Sequence, residues 1–274
     1  MKIRAGYKIS YDCAQLTPMI TMLNVHPSRL QDLVTPDDLI LDPAVPANSY
    51  RDGFGNICHV IHAPKGRLTI SSDFVIRDSG KQDDAAPDAE QYALEKLPVE
   101  TLVYLLGSRY CETDLFTELA WAKFGNVRKG WPLVQAICDY VHSHLTFGYE
   151  HANPTKTAWQ AHSERRGVCR DFAHVAITLC RCMNVPARYC TGYLGDIGVP
   201  PEPDPMDFSA WFEVYLGRWY AFDARYNTPR IGRILMARGR DATDVAIVTS
   251  FGPCKLAGFQ VITDELIFAG QPVA

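Results

Sequence analysis

The apolar pattern of this chain changes period once, and that change limits what it can fold into. Up to about residue 77, short runs of strand composition alternate with turn signals. Ile3 to Asp12 and Thr17 to His26 read as strands, Asp52-Gly53-Phe54-Gly55-Asn56 as a turn, and Leu68, Ile70, Phe74 and Ile76 fall on alternate positions. This predicts an antiparallel sandwich or half-barrel. Asp78 to Glu90 then carries no large apolar residue and cannot bury enough surface to offset the entropy of ordering it. Beyond it the period moves towards 3.6. Pro98 to Leu106 and Thr113 to Phe124 read as helical, and Trp131 to Leu145 places Val134, Ile137, Cys138, Val141 and Leu145 on one face. Strands return at Arg188 to Leu194, Phe208 to Leu216 and Trp219 to Asp223, the last two joined as a hairpin through Gly217. The expectation is an α+β chain with an N-terminal β domain over residues 1–77, a linker over 78–90, and a second domain of helices and antiparallel sheet over 91–274.

Composition excludes several classes. A net charge of −4 in 274 residues makes no case for nucleic acid, and no apolar run approaches the roughly 20 residues of a membrane span. The first residues, Met1-Lys2-Ile3-Arg4-Ala5-Gly6-Tyr7-Lys8, lack the apolar core of a signal peptide, so the chain reads as cytoplasmic with no membrane partner. Nine cysteines, irregularly spaced and without a Cys-x-x-Cys pair, read mostly as reduced core thiols. His59 with His62 and His142 with His144 lack further ligands at metal spacing, so no metal or cofactor is expected.

The stretch Arg166-Gly167-Val168-Cys169-Arg170-Asp171-Phe172-Ala173 places one thiol after a glycine turn and ahead of a helical face formed by Phe172, Val175, Ala176, Leu179 and Met183. Asn184-Val185-Pro186 ends that helix. A helix start favours thiolate over thiol and offers free N–H groups to an oxyanion, which makes Cys169 a candidate nucleophile. Nucleophilic cysteines need a base and a group that orients it. In Gly167 to Ala173, in Asn184-Val185-Pro186-Ala187-Arg188-Tyr189-Cys190-Thr191-Gly192-Tyr193, and in Ala210-Trp211-Phe212-Glu213-Val214-Tyr215 followed by Trp219 to Asp223, the chain resembles the transglutaminase-like superfamily of cysteine peptidases and acyl transferases. The resemblance implies a papain-like catalytic domain, Cys169 as nucleophile, Asp223 as the orienting residue, and a peptide or protein substrate. The family's base is the histidine directly before Ala-Trp, and here that position is Ser209. Serine cannot store a proton as imidazole does, and general acid–base help is worth about 10²- to 10⁴-fold in rate.

Strand parity tests the carry-over. A two-residue turn at Gly217-Arg218 would put Asp223 opposite Phe212, on the other face from Ser209. A three-residue turn, Leu216-Gly217-Arg218, pairs Trp211 with Asp223 and leaves Ser209 diagonal to Asp223, and this register is the one predicted. His174 should point away from Cys169, while His162 and His151 are alternative bases at unknown positions, and Trp159 or Tyr149 could complete an oxyanion hole. Arg225, Arg230, Arg233, Arg238 and Arg240 fall among turn residues before a final apolar stretch at Val245 to Val248. They read as a solvated series neutralised by acids such as Asp241 and Asp244, or as a recognition site for a carboxylate-bearing partner. Two functions remain: amide chemistry through a Cys169 thioester, and a catalytically inactive peptide-binding or scaffolding protein that keeps the cleft. Arylamine acetyltransferases match less well. Oligomeric state is not legible.

Overall fold

Alternation in the first 77 residues produces strands β1 (Lys2–Cys13), β2 (Thr17–Thr21), β3 (Ile40–Asp42), β4 (Ala47–Arg51), β5 (Ile57–Ala63) and β6 (Gly66–Arg77) in a computed structural model that describes residues 1–203 and 205–266. Leu68, Ile70, Phe74 and Ile76 all face inward and are at most 1% exposed, as their spacing requires. Asp52 makes the β4–β5 turn by accepting the N–H groups of Phe54 and Asn56, each at 2.9 Å.

The helical period gives α1 (Thr113–Phe124), α2 (Trp131–His144), α3 (Ala158–Glu164) and α4 (Cys169–Cys182), with the two-residue strands β7 (Thr146–Phe147) and β8 (Arg166–Gly167) pairing in parallel before α4. Pro98 to Leu106 is a 3₁₀ segment, Val99–Leu105, and not an α-helix. A second, antiparallel sheet follows: β9 (Ala187–Tyr193), β10 (Ser209–Tyr215), β11 (Trp219–Phe222) and β12 (Ile234–Gly239), in the order β11-β10-β9-β12. Helix α4 lies at the centre of this half, between α1, α2, α3 and the sheet, and nearly every residue after its first turn is buried. Its one buried cation, Arg181, is held by carbonyl groups, donating to Ala187 O at 2.9 Å and Leu106 O at 3.0 Å. Strand β12 takes up Arg238, which the sequence pattern placed among turns, because Ile234-Leu235-Met236-Ala237 is too short an apolar run between arginines to stand out.

The end of the chain returns to the beginning. Strands β13 (Val248–Ser250) and β14 (Cys254–Glu265) complete two four-stranded sheets, ordered β14-β1-β6-β3 and β13-β2-β5-β4. The N-terminal β domain therefore takes residues 248–265 from the segment expected in the second domain, and the expected end at 274 lies outside the described residues. Strand β14 is an edge strand in which Val261 and Thr263 alone are buried, so it shows no alternation that a sequence pattern could reveal. Cys13 faces Cys254 across β1 and β14 and forms a disulfide with it; the other cysteines are free, and all but Cys169 are buried. Tyr193, Ile234 and Met236 of the second sheet, with Phe208 just before it, belong to the apolar core of the first half, so the two halves share buried surface.

Residues 78–90 are ordered by charge where they lack apolar surface. The Asp83 N–H donates to Arg230 O at 2.8 Å, the Arg230 N–H donates back to Asp83 Oδ2 at 2.9 Å, and Arg218 reaches Asp84 at 2.7 Å. Among the described residues no helix is long and apolar enough to cross a membrane.

His26 joins the halves, donating its N–H to Leu235 O at 2.8 Å while Nδ1 accepts the Ser28 N–H at 3.1 Å. Burial, then the charges of Arg238, Arg188 and Arg51, push its pKa down to about 4. Between there and the unfolded value near 6.5 the unfolded chain binds the extra proton, so this stability is present above pH 6.5 and is lost as pH falls through the folded pKa. Urea unfolding at pH 7 and pH 5 should show His26→Asn losing about 2 kcal/mol less than the parent on acidification. Equal losses would contradict the assignment.

Candidate active site

The chain enters α4 from β8 in extended conformation, with Val168 at the cap and Cys169 as the first helical residue. Gly167 has no room for a side chain: a Cβ there would lie 2.6 Å from Asp171 Cβ. Asp171 occupies that space, and its Oδ2 accepts the Val168 N–H at 2.9 Å, closing the first turn and placing a carboxylate on the positive end of the helix. Cys169 is partly exposed and opens on a cleft bordered by Tyr149, Asp207, Ser209, Arg225 and Tyr226. Burial, followed by the charge of Asp207, pushes the Cys169 thiol up to about 11, against the opposing effects of Arg225 and the Ala210 N–H.

The β10–β11 hairpin has the three-residue turn. Tyr215 pairs with Trp219 and Phe212 with Phe222, leaving Leu216, Gly217 and Arg218 between the strands, with Gly217 at φ 88°. Continued by one position, this ladder sets Asp223 opposite Trp211, as the parity argument requires. The carboxylate of Asp223 is already in use. Its Oδ1 accepts the N–H groups of Arg225 at 3.0 Å and Tyr226 at 3.1 Å, and its Oδ2 lies 3.3 Å from Arg233 Nη2. Arg233 in turn donates from Nε to Asp83 at 2.9 Å, and its guanidinium lies over the Trp211 ring at 5.2 Å. Ser209 is buried at the cleft wall, with its carbonyl accepting from Thr191 Oγ1 at 3.0 Å.

The other histidines are used elsewhere. His174 stacks on Tyr110 at 5.1 Å and accepts the Ala242 N–H at Nε2, and burial pushes its pKa down. His162 pairs with Tyr140 Oη at 2.7 Å and stacks on His144 at 4.3 Å; burial and the neighbouring His144 push its pKa down to about 4. His151 lies 3.5 Å from Glu150. None of the three borders the Cys169 cleft. Of the two oxyanion candidates, Tyr149 does border it, and burial together with Asp207 pushes its phenol up to about 12, so it stays an O–H donor. Trp159 packs on Phe116 instead, at 5.4 Å.

Asp207 was not foreseen. It stands two residues before Ser209 at the end of a proline-rich loop, where a carboxylate gives no periodic signal, yet it borders the same cleft as Cys169 and its charge favours the neutral thiol. Burial holds its own pKa above the usual carboxylate range.

Residues 123–224 match the model of the transglutaminase-like superfamily. An uncharacterised protein of Mycobacterium tuberculosis is 32% identical over 239 residues, covering 76% of this chain and 73% of its own. The chain belongs to the transglutaminase-like superfamily. An uncharacterised protein of Mycobacterium leprae is 26% identical over 262 residues, covering 86% of this chain and 84% of its own. A solved structure described as a putative cysteine protease from Cytophaga hutchinsonii superposes with a TM-score of 0.85 at 28% identity, over 99% of this chain and 93% of that one. Cys169 and Ser209 border one cleft, and Asp223, which does not line that cleft, is bound to Arg233.

A raised thiol has a direct readout. The iodoacetamide alkylation rate of Cys169, taken as the difference from Cys169→Ala, should climb about tenfold per pH unit through pH 9 and level off only near 11. A plateau at or below the free-thiol value of about 8.5 would contradict this environment.

Proposed function

We propose that the chain is a transglutaminase-like cysteine peptidase or amidase that works through a thioester on Cys169, with Asp207 handling the proton in place of a histidine. The observation that carries this reading is that Cys169, at a helix start, and the carboxylate of Asp207 border one cleft. In the first step the Cys169 proton moves to the Asp207 carboxylate as sulfur bonds to the amide carbon, and the carbonyl electrons move to oxygen. The oxyanion is met by N–H groups at the start of α4 and by the Tyr149 hydroxyl. Collapse breaks the C–N bond, and protonated Asp207 gives its proton to the leaving amine. Water, or a second amine, then attacks the thioester and returns the thiol, with Asp207 taking and giving the proton again. Because the thiol rests protonated, proton transfer accompanies attack, and turnover is expected to run about 10²- to 10⁴-fold below that of a histidine-based site.

A second reading is a peptide-binding or scaffolding protein that keeps the cleft without turnover. One observation favours it: Asp223, the family's orienting residue, is committed to Arg233. In either reading the partner is a peptide or protein. The cytoplasmic setting we infer is supported by the many free cysteines, while the Cys13–Cys254 bridge favours an oxidising one.

Kinetics on a panel of peptide anilides and esters separate the readings. Cys169→Ala should abolish turnover, Asp207→Asn should lower kcat by about 100-fold with little change in KM, and Ser209→His should raise kcat. Unchanged kcat in Asp207→Asn removes the role given to Asp207, and peptide binding without turnover by the parent or Ser209→His establishes the second reading.

A further inference from the structure

The sheet face turned away from α4 carries a cavity of about 320 Å³ that plays no part in the chemistry above. Trp211, Leu235 and Ala221 form its apolar floor, while Ser28, Arg29 and residues 78–84 make its wall. Its volume lies at the small end of the range for pockets that take organic ligands, roughly 300 to 1,000 Å³.

Charge pairing leaves two of its cations without an acid among the described residues. Arg29 is held by Asp32 at 2.6 Å and Asp78 at 3.3 Å, and Arg233 by Asp83 and Asp223. Asp84 is taken by Arg218 at 2.7 Å, and Arg230 stands 3.6 Å from Asp196. Glu213 is engaged by Arg188 at 2.5 Å. The exposed Lys81 is one of the two, and the other is Arg238. Its main chain bonds with Asn56, but its guanidinium has no hydrogen-bond or ion-pair partner among the described residues. Arg238 is only partly exposed, so its charge is incompletely hydrated; burial and the like charge of Arg188 disfavour it, and Glu213, which is held by Arg188, offsets them only in part. A second orphan lies in the same wall: Arg230 is 3% exposed, and its Nε is buried without an acceptor.

We propose that this cavity binds a small organic acid, with its carboxylate paired to the Arg238 guanidinium and its hydrocarbon body laid on Trp211, Leu235 and Ala221. A guanidinium offers two parallel N–H donors that match a carboxylate, and a charge-assisted pair in a partly dry site is stronger than one in water. The neighbouring indole suits a flat or short apolar body. Of the five arginines between residues 225 and 240, Arg225, Arg230, Arg233 and Arg240 already face acids at 3.8, 3.6, 2.9 and 2.8 Å, so a carboxylate partner of this series falls to Arg238.

Isothermal titration of the full chain with phenylacetate, succinate, inorganic phosphate and the neutral phenylacetamide tests this. At least one carboxylate should bind, phenylacetamide should bind about tenfold more weakly or not at all, and Arg238→Gln should weaken the carboxylate about tenfold while Arg238→Lys restores part of it. Ala221→Leu, which narrows the cavity without touching the charge, provides a second variant should Arg238→Gln fail to fold, and it should weaken binding as well. No binding by either carboxylate, a preference for phosphate over both, or binding unchanged in Arg238→Gln or Ala221→Leu would overturn the site.

Discussion

Arg233 holds this molecule together in a way that also determines its chemistry. Its guanidinium is buried between Asp83, from the segment after the first β-domain strands, and Asp223, at the end of β11. A buried cation is tolerated only when paired, and removing one partner of such a pair typically costs about 3 to 5 kcal/mol. The chain from Asp83 through Arg233 to Asp223 therefore fixes residues 82–84 against 230–233, sets the entry into β12, and roofs the cavity on the far face of the sheet. It also engages the carboxylate of Asp223. The negative charge of Asp223 is balanced there by Arg233.

The Asp223 carboxylate is thus shared between two backbone N–H groups and Arg233. What remains around Cys169 is a thiol raised by burial and by Asp207, countered by Arg225 and one backbone N–H. Arg225 is itself fixed, over the Phe147 ring at 3.4 Å and near Glu202 at 3.8 Å, so its charge is shared. This environment favours the neutral thiol over a standing thiolate.

The parts that sequence pattern reveals are those where burial follows a single period. The helices α1 and α2 end within a residue of their predicted limits, the helix start at Cys169 is where the glycine turn places it, and strand parity together with the family resemblance selected the three-residue turn before Trp219. Three features have no such signature. Strand β14 is an edge strand with few inward residues, β12 is hidden among arginines, and Asp207 sits in a loop where position comes from tertiary packing. The segment 78–90 reads as a spacer because it lacks apolar side chains, yet Asp83 and Asp84 order it through charge, which hydrophobic periodicity does not report.

The central claim is that Cys169 forms an acyl-enzyme without a histidine. Intact-mass analysis of the full chain after incubation with an activated peptide ester tests it most directly. The account predicts one added acyl group, mapped to Cys169, released by hydroxylamine as a thioester and absent from Cys169→Ala. An unmodified protein, or an adduct that persists in Cys169→Ala, would contradict it.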